Sequence, residues 1–131
     1  MSKHILVVDD DADILGAVSA VLRQHGLATD TAENGREALV KMCARTVSGQ
    51  LYDAIIVDIM MPIIDGWELL HALKNNPLWK AINVVVLTGT ANSPGDVTRV
   101  TDYDGVFLRK KNSFIDIIGD LAERLVQPAD G

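Results

Sequence analysis

His4-Ile5-Leu6-Val7-Val8-Asp9-Asp10 decides the fold once it is set beside Ala54-Ile55-Ile56-Val57-Asp58. Each is a short apolar run, rich in β-branched residues, that stops on a carboxylate. Such runs read as strands buried on both faces, as in a parallel sheet, so each aspartate sits where a strand leaves the sheet. In open α/β sheets, ligands bind in the crevice outside those carboxyl ends. Three carboxylates converging there repel one another unless a positive group joins them. A hard divalent cation is the simplest partner, and Mg2+ in particular takes one or two carboxylates, several waters and phosphoryl oxygens.

Working outward, Asn83-Val84-Val85-Val86-Leu87 runs into Thr88, and Gly105-Val106-Phe107-Leu108-Arg109 runs into Lys110. A hydroxyl and an ammonium thereby join the carboxylates on one edge of the sheet. Between the strands lie helical patterns. The first spans about Ala12 to His25, with Ile14, Leu15, Val18, Val21 and Leu22 at spacings of three and four and Gly26 as a left-handed terminator. A short strand near Leu27 to Ala32 follows, then a second helix capped by Asn34 and carrying Ala38, Leu39 and Met42. A third begins at Asp65 or Gly66, carries Trp67, Leu69, Leu70 and Leu73, and ends before Asn75-Asn76-Pro77. The last runs from about Ser113 to Leu125. Between the fourth and fifth strands, Ala91 to Tyr103 holds Ser93-Pro94-Gly95 and a run of Val and Thr, so a short or poorly ordered fourth helix is expected there. The alternation predicts an α/β fold, a doubly wound parallel sheet with helices on both faces.

The order of these motifs resembles the receiver domain of two-component response regulators. They are the acidic pair Asp9-Asp10, then Asp58 with Pro62 at plus four and Asp65-Gly66 at plus seven and eight, then Thr88 and Lys110. The likeness covers nearly the whole chain. It implies a flavodoxin-like, five-stranded sheet of order 2-1-3-4-5 with five helices, in one receiver domain over 1–131 with an ordered core of about 3–126. Asp58 would be the phosphoacceptor, taking a phosphoryl group from a histidine kinase or histidine phosphotransfer protein. Asp10 and Asp58 would ligate Mg2+ directly, Asp9 mainly through water, and the Met60 carbonyl would add an oxygen. Lys110 would pair with Asp58 at rest and with the phosphoryl group after transfer. Thr88 would donate to a phosphoryl oxygen, and Phe107 stands where receivers carry an aromatic that turns inward when the threonine moves. Asp11 and Asp13 read as turn formers or helix caps.

Composition limits the alternatives. At 131 residues the chain is one domain by length, and no stretch approaches the roughly 20 apolar residues of a membrane helix. The start lacks the pattern of a signal peptide, so a cytoplasmic location is expected. The tail Gln127 to Gly131 reads as a disordered stop, although a chain cut from a longer protein would read the same. A formal charge of −6 disfavours nonspecific attraction to nucleic acid or anionic membrane, leaving an unknown downstream protein as the expected partner. The single Cys43 has no internal disulfide partner and reads as a small buried hydrophobe beside Met42. His4, His25 and His71 lack a second ligand at metal spacing.

A phosphatase of the haloacid dehalogenase type needs a second aspartate two residues after the nucleophile, where this chain has Met60. A flavodoxin-like cofactor module needs a phosphate-cradling loop where this chain has Asp9-Asp10-Asp11, which repels phosphate. A receiver used as an unphosphorylated scaffold would not require the complete set of pocket residues. One departure stands out. Receivers typically follow the lysine with proline across a cis bond, whereas Lys111 follows Lys110 here. Without proline the cis form costs about 2 to 3 kcal/mol more, so a trans bond is expected.

Overall fold

The computed structural model describes residues 3–58, 66–79, 82–88, 106–109 and 118–119, with the backbone alone at 58, 66, 67, 87, 88 and 106–109. The apolar runs form strands β1 (His4–Val8), β2 (Ala28–Ala32), β3 (Ala54–Asp58), β4 (Asn83–Thr88) and β5 (Val106–Arg109). The helices are α1 (Ala12–Gln24), α2 (Gly35–Val47) and α3 (Gly66–Asn75). All strand pairs are parallel, in the order β2-β1-β3-β4-β5. The chain reverses direction at β1 and β3, which is the topological switch where such sheets open a crevice.

Strand alternation divides the core into two layers. Leu6, Val8, Ile55, Val57, Val84 and Val86 pack with Ala38 and Met42 of α2 and Leu69, Leu70 and Leu73 of α3. Ile5, Val7, Ala54, Ile56 and Val85 pack on the opposite face with Leu15, Val18 and Leu22 of α1 and with Ile118. Ile5, Ile55 and Ile56 are fully buried, so truncating any of them to alanine costs about 2 to 5 kcal/mol.

The helix ends follow from their capping residues. Asp11 caps α1, its carboxylate accepting the Asp13 and Ile14 N–H groups, and Asn34 caps α2 by accepting from Glu37 N–H at 2.8 Å. Both C-termini close with the same pair of bonds. Gly26, at φ 81°, lets its own N–H reach the Arg23 carbonyl and the Leu27 N–H reach that of Leu22. Gly49, at φ 77°, does the same toward Thr46 while Gln50 reaches Arg45. A side chain at either glycine would be strained in that left-handed backbone.

Two expectations are corrected. Helix α3 includes Asn75, whose side-chain amide donates back to the His71 carbonyl at 2.8 Å and holds the last turn. Cys43 is exposed, not buried. The inward row of α2 is Gly35, Ala38 and Met42, and one further residue turns about 100° away, placing Cys43 with the exposed Val40 and Val47. The fourth-helix span Ala91 to Tyr103 and the Lys110-Lys111 bond lie outside the described residues.

Candidate functional site

The carboxyl edge of the sheet is built by register. Val8 pairs with Val57, and the Asp9 N–H continues the ladder to the Ala32 carbonyl at 3.1 Å, so Asp9 stands level with Asp58. Asp58 in turn pairs with Leu87, and Thr88 pairs with Arg109, the residue before Lys110. Neighbouring strands lie about 4.8 Å apart, so the backbones of Asp9, Asp58 and Thr88 occupy adjoining strand ends.

Three consecutive acids leave β1, and their environments differ. Asp9 is fully buried, and its Oδ1 accepts the Asp11 N–H at 2.9 Å. Asp11 Oδ1 accepts the Asp13 N–H at 2.9 Å, which makes Asp11 the helix cap expected of it. Two successive carboxylate-to-backbone bonds therefore shape the turn around Asp10, whose exposed side chain makes no hydrogen bond or ion pair among the described residues. Carboxylates are hard oxygen donors of the kind Mg2+ takes, and Asp9 and Asp10 at the end of β1 could supply two of them. Asp58 and Thr88 are placed here by their backbones as the last residues of β3 and β4, and Phe107 lies within β5. Met60 and Lys110 lie outside the described residues.

The opposite edge carries a polar cluster that the sequence does not announce. The His4 imidazole Nε2 lies 3.1 Å from Asp30 Oδ2, and the Tyr52 hydroxyl donates to the same oxygen at 2.7 Å. Asp53 accepts the His4 N–H at 2.8 Å, and the Arg45 guanidinium stacks 4.8 Å from the centre of the Tyr52 ring. Burial acts to raise the Asp30 carboxyl, but the Tyr52 hydroxyl, His4 and Arg45 outweigh it and hold the group below the usual carboxylate value. Burial, reinforced by Asp30, pushes the Tyr52 phenol well above its ordinary range. Residues 4, 30, 45 and 52 share no local motif, so only folding brings them together.

Residues 5–119 match the family model described as the response regulator receiver domain. Among curated relatives, a gliding motility regulatory protein of Myxococcus xanthus is 31% identical over 123 residues, 93% of this chain and 15% of that protein. The transcriptional regulatory protein PrrA of Mycobacterium tuberculosis is 41% identical over 73 residues, 56% of this chain and 29% of that protein. The chain thus spans well under half the length of these two relatives. Among solved structures, the chemotaxis response regulator CheY4 of Vibrio cholerae superposes with a TM-score of 0.79 at 27% identity, covering 96% of this chain and all of that one. The receiver domain of a histidine kinase from Syntrophus aciditrophicus gives 0.72 at 30% identity, covering 98% and 95%.

Proposed function

Because the chain belongs to the response regulator receiver domain family, we propose that it is a phosphorylation-driven switch, with Asp58 as the phosphoacceptor. The observation that carries the reading is the register that sets buried Asp9 level with Asp58 at the carboxyl edge. One carboxylate oxygen of Asp58 attacks the phosphorus of a phosphohistidine on a histidine kinase or phosphotransfer protein. The P–N bond breaks, the imidazole leaves with the electron pair, and an aspartyl phosphate remains. Such a transfer spreads charge over three equatorial oxygens, so catalysis is mostly positioning and charge compensation. Thr88 donates a hydrogen bond to one of those oxygens, and Lys110 supplies a compact positive charge. Asp9, Asp10, Asp58 and the Met60 carbonyl would hold Mg2+, which when bound offsets the phosphoryl charge.

The output is a shift between two pre-existing conformations, read by a protein partner through Thr88 and Phe107. A short fourth helix within about Ala91–Tyr103 and a last helix over about Ser113–Leu125 complete five helices in this reading, and the domain operates in the cytoplasm. The test is incubation with Mg2+ and acetyl phosphate followed by intact-mass measurement. One phosphoryl group is expected on the parent chain and none on Asp58→Asn; a full gain on the mutant would assign the acceptor elsewhere.

A further inference from the structure

The amino edge of the sheet, far from Asp58, holds an open cleft of about 700 Å³ whose walls include Lys3, His4, Arg45, Gln50, Leu51 and Asp53. That volume falls in the range of small-molecule sites. Its charges are unevenly settled. Asp53 accepts the His4 N–H, and Asp30 behind the wall is engaged by both His4 and Tyr52. The two full cations are not engaged in this way. Neither the Lys3 ammonium nor the Arg45 guanidinium makes a hydrogen bond or ion pair among the described residues, and Arg45 Nε is buried without an acceptor.

An arginine in the last turn of a helix ordinarily compensates the exposed carbonyls there. In α2 three of the last four carbonyls are already taken, since Ser48, Gly49 and Gln50 N–H groups bond to Ala44, Thr46 and Arg45 oxygens. The guanidinium carbon lies 4.8 Å from the centre of the Tyr52 ring, a cation–π contact that uses none of its N–H donors. Leu51, 39% exposed, adds an apolar wall beside it. We propose that this cleft binds a small organic anion, a carboxylate or phosphate monoester, held between the Arg45 fork and the Lys3 ammonium with its apolar part on Leu51. The site is separate from the phosphoacceptor pocket, so the chain would take a soluble effector at the edge opposite its switch.

The test is amide NMR on the full chain in Mg2+-free buffer containing a chelator, titrated with phenyl phosphate, benzoate, inorganic phosphate and neutral benzyl alcohol. Saturable shifts at Gln50, Leu51 and Asp53 are expected, with dissociation constants of about 1 mM, the strength of a few polar contacts. Arg45→Gln should weaken binding roughly tenfold, the loss of charge-assisted hydrogen bonds, and Lys3→Gln reports on the cleft if the arginine variant does not fold. Leu51→Ser should weaken phenyl phosphate and leave inorganic phosphate unchanged. Preference between phenyl phosphate and benzoate identifies the anion class. Shifts that stay linear, that saturate only near Asp10, that appear equally with benzyl alcohol, or that survive both charge substitutions would overturn the site.

Discussion

At the amino edge of the sheet, the two carboxylates that sit among β1, β2 and the approach to β3 both have close partners, whereas at the carboxyl edge acids are crowded together by register. Asp30 contacts His4 and Tyr52, and Asp53 holds the His4 N–H. Asp9, Asp10 and Asp11 are consecutive, and Asp58 stands level with the first of them. In the proposed reading, Mg2+ bound there would offset the repulsion among these carboxylates. The difference is one of construction: at the amino edge side chains from separate segments meet the acids, and at the carboxyl edge backbone register brings acids to adjoining strand ends.

Occupancy gives the largest effect by which this contrast can be broken. Mg2+ at about 100 times its dissociation constant should stabilise the chain by about 2.7 kcal/mol through linkage. Thermal melts should show that gain in the parent and none in Asp10→Ala. An equal gain in both would place the ion away from the carboxyl edge and dissolve the contrast.

A smaller effect belongs to the amino edge. Tyr52→Phe removes the hydroxyl that donates to Asp30 and should cost about 1 to 2 kcal/mol in urea unfolding, reduced from the full value of a charged hydrogen bond because Asp30 is partly exposed. Phosphoryl incorporation from acetyl phosphate should be unchanged in the same variant. A variant that lost incorporation while keeping its fold would show that the two edges are coupled.

The smallest effect is a pH dependence. The Asp30 carboxyl lies below its ordinary value of 3.8 in the folded chain. Its contribution is therefore fully present above that value and lost as pH falls through the lower folded one. Asp30→Asn should flatten the acid limb of the stability curve below about pH 4 relative to the parent. An acid limb identical in the two proteins would remove the Asp30 network from the account.

Much of the frame was legible because its signals are local. A β-branched run marks a buried strand, Asn34 marks a helix start, and Gly26 marks a helix end, since each depends on residues within a few positions. Asp11 was legible as a cap for the same reason. Cys43 was misread because the signal was a phase. Met42 is inward and its neighbour is not, and the rotation separating them is decided by which face of α2 meets the sheet. The amino-edge cluster was invisible because His4, Asp30, Arg45 and Tyr52 come from four different parts of the chain.

The sequence by itself determined the alternation of strands and helices, the acids at two strand ends and the residues that cap and terminate α1 and the start of α2. These are set by propensity, spacing and side-chain reach over a few residues. Tertiary structure alone decided that Asp9 stands level with Asp58, that Asp9 is buried while Asp10 is exposed, and that Arg45 stacks on Tyr52 beside an open cleft. Register and burial depend on contacts between segments tens of residues apart, where each local stretch is compatible with several pairings and only the shared core selects one.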